Sequence, residues 1–220
     1  MKRTRTEDEL QQLARDAQQK YADATAEEVL AWAGDTFGQG LAVACSMAAD
    51  TVVTDLASKV VPGVDVLFLD TGYHFAETMG TRDGLADALD INLIDVKPRL
   101  TVAEQDAEHG PKLHDRDPGL CCQMRKVEPL NAALEGYEAW VTGLRREDNA
   151  LRAQTPLVEW DAKHSMVKIN PIAAWTFDDV LTYATEHDVI VNPLLADGYP
   201  SIGCEPVSYT HLRAHETPEH

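Results

Sequence analysis

The sequence predicts an α/β protein built on a doubly wound parallel sheet, and three observations carry that prediction. Short, almost wholly apolar runs such as Leu41-Ala42-Val43-Ala44-Cys45 read as strands buried on both faces, as parallel sheets require. Stretches of helical periodicity follow the early runs. Strand and helix then alternate with no internal repeat and no low-complexity linker, so a single domain is expected.

Taken in order, Leu10, Leu13, Ala17 and Tyr21 recur at helical spacing and predict a first helix. Thr25 and Glu28 form a capping box ahead of Val29, Leu30, Trp32 and Ala33, so a second helix starts there and ends near Gly38-Gln39-Gly40. After the strand at 41–45, a polar turn leads into a helix over about 51–59. A second strand, Val64 to Leu69, runs into Asp70-Thr71-Gly72. A helix over about 75–88 precedes a third strand, Ile91 to Val96. Further strands are expected at 139–142 and 166–169, and a last helix at about 177–187. The N-terminal helices thus occupy 1–38 and the sheet about 40–206.

Composition narrows the function. The chain has 37 acidic and 19 basic residues in 220, a formal net charge of −18. Such a surface repels phosphate backbones and argues against nucleic-acid partners. Any anionic ligand then needs a local cluster of Arg and Lys. No apolar run approaches the ~18 residues of a membrane span. The basic start, Met1 to Arg5, leads into Glu7-Asp8-Glu9 rather than an apolar signal core, so a cytoplasmic location is expected. There, four cysteines read as metal ligands, catalytic groups or core residues rather than disulfides.

Ligands of open α/β sheets bind beyond the carboxyl ends of the strands, where three segments fall. In Cys45-Ser46-Met47-Ala48-Ala49-Asp50-Thr51, small side chains let backbone amides approach a phosphate at a helix N-terminus, and Ser46 adds a hydroxyl. Against that, the turn has no glycine and Asp50 has the wrong sign for an anion site. In Asp70-Thr71-Gly72, Asp70 is suited to accept from a ribose hydroxyl or an adenine amine, and Gly72 permits close approach. An ordinary capped turn explains either segment equally well. In Thr142-Gly143-Leu144-Arg145-Arg146, paired guanidinium groups suit phosphate or sulfate, with Arg152 extending the cluster.

The cysteines carry the sharpest signal. Cys121 and Cys122 are adjacent, and Cys204 follows in Gly203-Cys204-Glu205-Pro206. Vicinal cysteines bridge each other only under strain, and thiolates are what iron–sulfur clusters prefer. Arg125 and Lys126 follow the pair, where cations stabilise thiolates. Buried apolar thiols are the bland alternative. Cys45, inside a strand, reads as core, and the histidines show no ligand spacing.

Together these stretches resemble the sulfonucleotide reductases. Leu69 to Thr78 is similar to that family's aspartate–threonine–glycine nucleotide motif, and Cys121-Cys122-Gln123-Met124-Arg125-Lys126 to its cysteine-pair motif, the most specific match. Trp140 to Arg146 resembles its arginine loop. Asn192-Pro193-Leu194 and Gly198 to Cys204 match the approach to its second cysteine pair. The resemblance implies a sheet of the adenine-nucleotide α-hydrolase (PP-loop) type. Nucleotide would bind at Ser46, Asp70, Thr71, Gly72, Arg145 and Arg146. A 4Fe–4S cluster would sit on Cys121, Cys122 and Cys204, with Lys126 between cluster and sulfate. It further implies reduction of adenosine 5′-phosphosulfate to sulfite and AMP in sulfate assimilation and cysteine biosynthesis. A C-terminal cysteine thiolate attacks sulfur, and thioredoxin is the electron donor. Cysteine pairs mark the family members that use the substrate without a 3′-phosphate.

The sequence departs from the family pattern in two places. Val207 stands where the fourth cluster cysteine is expected, and no cysteine follows Cys204, so the nucleophile is absent. Past Pro206, residues 207–220 read as a foreign or frame-shifted end, and a defective fragment is expected. Rival readings are a phosphoadenylyl-sulfate reductase, an ATP-pyrophosphatase-type relative (a sulfate adenylyltransferase small subunit or tRNA-thiolating enzyme), and a non-catalytic nucleotide or metal binder.

Overall fold

The computed structural model describes residues 3–199 and 202–208. Two helices open the chain, α1 (Glu7–Lys20) and α2 (Ala26–Phe37). Each starts at a reciprocal capping box, Thr6 with Glu9 and Thr25 with Glu28, which satisfies amides that the first turn leaves unpaired. The chain then alternates through β1 (Leu41–Cys45), α3 (Thr51–Val60), β2 (Val64–Leu69), α4 (Ala76–Ala88) and β3 (Ile91–Val96). Four helices that sequence reading did not place follow: α5 (Val102–His109), α6 (Leu113–Arg116), α7 (Pro118–Cys122) and α8 (Glu128–Leu134). A π-helical turn, Gln123–Val127, joins the last two. β4 (Ala139–Val141), β5 (Val158–Asp161), β6 (Met166–Ile169) and α9 (Phe177–Glu186) complete the domain.

The six strands lie in the order β3-β2-β1-β4-β6-β5. Five run parallel. The sixth, β5, pairs antiparallel with β6 (Val158↔Ile169 to Asp161↔Met166) and adds an edge strand to the expected parallel sheet. Alternate residues of the central strands serve two cores, as the period of two demands. Leu41, Val43, Cys45, Val64, Val66 and Phe68 face the larger cluster with α2, α3 and α9, while Ala42 and Leu67 face a smaller one with Leu134 and Tyr137. Both faces are covered, which is why these strands lack polar alternation. No described helix is long and apolar enough to cross a membrane.

The N-terminus is tied to the sheet through Glu138, 2% exposed. Its carboxylate accepts from the amides of Thr4 and Arg5 (2.7 Å each), from the Thr4 hydroxyl (2.9 Å) and from the Arg5 guanidinium. Burial opposes ionisation, but these donors outweigh it and hold the carboxyl below its usual value. Glu138→Ala is therefore expected to cost about 1.5–3 kcal/mol at neutral pH. Because the folded pKa is depressed, that stability is present above the unfolded value near ~4.3 and is lost as pH falls through the folded one. Urea midpoints of wild type and variant should differ at pH ~7 and draw together as the pH falls below the unfolded value and through the depressed folded one.

Candidate active site

Sheet order reverses direction between β1 and β4, so the crevice at their carboxyl ends is the expected ligand position. The turns after β2, β1 and β4 stand side by side there, and the structure brings the three predicted segments to one edge.

After β2, Asp70 accepts from the Gly72 amide (3.1 Å) and lies 3.8 Å from Lys97 Nζ. Thr71 is buried, and its hydroxyl accepts from the Tyr73 amide (3.3 Å) and from Cys204 Sγ (3.5 Å). Gly72 has φ +74°, and a Cβ there would lie 3.0 Å from Arg125 Nη2 and 3.1 Å from Val102 Cγ2. Only glycine meets both conditions. His74 braces the turn by donating from Nε2 to the Leu69 carbonyl (2.7 Å). Burial holds its pKa below the usual value, so the neutral ring is favoured, and its role is structural, as its lack of ligand spacing predicts.

After β1, the amides that sequence reading offered to a phosphate are already engaged. Asp50 accepts from Ser46 N (2.6 Å) and Ala48 N (3.0 Å). The residue of the wrong sign takes the place of the anion and stiffens the turn, leaving the exposed Ser46 hydroxyl as the group facing outward. Cys45 is 4% exposed, and burial followed by the charge of Asp50 pushes its thiol well up, as its core assignment requires.

After β4, Thr142 donates to Asn170 Oδ1 (2.7 Å), and Gly143 packs against Asp50. The two arginines differ. Arg145 is neutralised by Glu147 and by Asp148 (3.0 Å), and lies over the Phe177 ring. Arg152 also pairs with Asp148 (3.0 Å). Arg146 donates Nε to the Thr155 carbonyl (2.8 Å), and no carboxylate pairs with it among the described residues. Its two Nη groups and Lys126 Nζ have no carboxylate partner among the described residues.

The cysteine pair sits at the end of α7. Asp117 caps that helix (Leu120 N to Oδ1, 2.9 Å) and Pro118 occupies its first turn. Cys121 is buried, Cys122 exposed and Cys204 intermediate, yet all three line one cavity with Tyr73, His114, Arg125 and Lys126. Burial, then the neighbouring Cys122 and Cys204, push the Cys121 thiol up, while Arg125 and Lys126 oppose them. Among the described residues no three His, Cys, Asp or Glu side chains converge on a single ion position. A cluster asks for something different, since each thiolate holds its own iron. Three thiols around one cavity flanked by two cations fit that donor chemistry.

Sequence reading missed several members of this site. His114 lines the cavity with its ring edge-on to Tyr73 (5.3 Å). Gln105, fully buried on α5, bonds Arg125. The capping box of Thr101 and Glu104 was a legible signal for α5, but nothing in the sequence marks Gln105. Pro200, Ser201 and all but the first two residues of the expected foreign stretch 207–220 lie outside the described residues. Residues 205–208 form a helical turn, and the buried Ser208 accepts from Gly203 N (2.9 Å).

An α/β sheet with three cysteines gathered beside the Asp-Thr-Gly turn after β2 defines the class, and a phosphoadenosine phosphosulfate reductase domain model matches residues 40–210. The chain belongs to that domain family. Among its relatives, the adenosine 5′-phosphosulfate reductase of Streptomyces coelicolor is 59% identical over 202 residues, 92% of this chain and 85% of that protein. The protein of the same name from Mycolicibacterium smegmatis is 54% identical over 203 residues, 92% of this chain and 86% of that one. A crystal structure of phosphoadenylyl-sulfate reductase from Candida auris, in a phosphate complex, superposes with a TM-score of 0.77 at 29% identity, covering 93% of this chain and 98% of that one.

Proposed function

We propose that this chain supplies the nucleotide and cluster sites of an enzyme that reduces adenosine 5′-phosphosulfate to sulfite and AMP in the cytoplasm, with thioredoxin as electron donor. The observation that carries this reading is the shared cavity of Cys121, Cys122 and Cys204, joined to the Asp70–Gly72 turn by the contact of Cys204 with Thr71. Relatives named for that substrate at 59% and 54% identity support it.

In this reading Asp70 accepts from the nucleoside, and Gly72 lets the ligand approach the backbone. Ser46, Arg146 and Lys126 donate to the phosphate and sulfate oxygens. Arg145, held by its own carboxylates, shapes the loop. Cys121, Cys122 and Cys204 would hold a 4Fe–4S cluster, which would act electrostatically, with Lys126 between it and the sulfate. The chemistry requires a cysteine thiolate: a sulfur–sulfur bond forms as the sulfur–oxygen bond to AMP breaks. A dithiol then releases sulfite from the thiosulfonate and is itself oxidised to a disulfide.

Calorimetric titration with AMP tests the nucleotide site. Arg146→Ala should cost roughly 1.5–3 kcal/mol of binding, the range for hydrogen bonds to charged groups. Arg145→Ala should cost less because its charge is already paired, and Lys163→Ala, away from this edge, should change nothing. Equal binding by all three would remove the arginine loop from the site. A 3′-phosphorylated nucleotide binding more tightly than AMP would favour the phosphoadenylyl-sulfate reading. Val207→Cys should raise anaerobic iron and sulfide content, with the visible absorbance of cysteine-ligated clusters. Unchanged content would count against the ligand set.

A further inference from the structure

We propose that Arg125 is a positioning residue that locks the Asp70–Gly72 turn in nucleotide-binding register with the cysteine helix; this rests on the nucleotide reading above. Arg125 is 3% exposed and carries its charge without a carboxylate partner among the described residues. Every bond of its guanidinium goes to a neutral acceptor on another segment. Nε donates to Thr71 O (2.5 Å), and Nη1 to Gln105 Oε1 (3.0 Å) and Leu100 O (3.3 Å). The group also lies 5.2 Å from the centre of the Tyr73 ring.

Burying a cation without a counter-charge is expensive, and a neutral side chain fills a core more cheaply. What the guanidinium adds is a rigid fork that reaches several acceptors at once. One end of that fork is fixed by the π-helical turn directly after Cys121 and Cys122, a local widening that recurs at functional sites. The other end grips the turn. Thr71 gives its carbonyl to Arg125 and its hydroxyl to Cys204, and Gly72 lies so close that any Cβ would meet the guanidinium. Arg125 thus links both cysteine segments to the nucleotide turn through a single residue, Thr71.

The test combines AMP titration calorimetry with thermal melting on the full chain, for wild type, Arg125→Lys, Gln105→Met and Leu134→Ala. Leu134 is buried in the smaller core with Ala42, Leu67 and Tyr137. Arg125→Lys keeps the charge but loses the fork, and should bind AMP at least tenfold more weakly. Leu134→Ala should melt as low or lower while keeping wild-type affinity. Gln105→Met removes one acceptor and should weaken AMP about threefold, which keeps the test alive if Arg125→Lys does not fold. Wild-type affinity in Arg125→Lys or, should that variant not fold, in Gln105→Met overturns the proposal, as does an equal affinity loss in Leu134→Ala. Absence of AMP binding in the wild-type chain instead overturns the nucleotide reading itself.

Discussion

A polypeptide of residues 1–220 is expected to bind AMP but to release no sulfite from adenosine 5′-phosphosulfate when supplied with thioredoxin and its reductant. Sulfite release needs a thiolate delivered to sulfur, and the four cysteines of this sequence are otherwise engaged. Cys45, the last residue of β1, is buried in the larger core with its thiol pushed well up, so the protonated form is favoured. Cys121, Cys122 and Cys204 surround the proposed cluster. Positive groups at the crevice stabilise a bound substrate, but binding without a nucleophile does not lower the barrier. A chimera carrying a family tail after Pro206, with both the second cluster cysteine and a terminal cysteine, should restore turnover. The same chimera lacking only the terminal cysteine should bind nucleotide and stay inactive. Turnover by residues 1–220 alone would sink the mechanism proposed here.

Gly143→Ala is expected to destabilise the fold by about 2–3 kcal/mol, the upper part of the range for overpacking. A Cβ at Gly143 would sit 2.4 Å from Asp50 Cβ and 3.2 Å from its Cα. Asp50 cannot easily retreat, because its carboxylate holds the amides of Ser46 and Ala48. The two loops at the switch point must separate, carrying Arg146 away from Ser46. Melting should fall by about 4–12 °C for a domain of this size, and AMP affinity should fall with it. Gly80→Ala serves as the control. Gly80 is an exposed helical position with open space around its missing Cβ, and alanine there should be neutral or stabilising by up to about 1 kcal/mol. If Gly143→Ala melts like Gly80→Ala, the two loops do not depend on close approach.

Local pattern was enough for much of the fold. β1, β2, β3 and β6 appear where the sequence places them, and in β1, covered on both faces, no polar position blurs the ends. The capping boxes at Thr25 and Thr101 are of one kind, and the second marks α5 as clearly as the first marks α2. β5 was less legible. Its four residues, Val158 to Asp161, become a strand through antiparallel pairing with β6, a partner that local periodicity does not name.

For the site, the sequence by itself determined which chemistry is available: vicinal thiols, an Asp-Thr-Gly turn and a pair of arginines, all recognisable as residue types at fixed spacing. The tertiary structure alone decided how those groups are used. Asp50 occupies the amides that looked free for phosphate, Arg145 is spent on Glu147 and Asp148 while Arg146 stays open, and Cys204 meets Thr71 across 133 positions of chain. The physical reason is common to all three. Spacing reports which residues share a helix face or a strand edge, whereas the partner of a charge or a thiol depends on strand order and side-chain direction, which only the folded sheet sets.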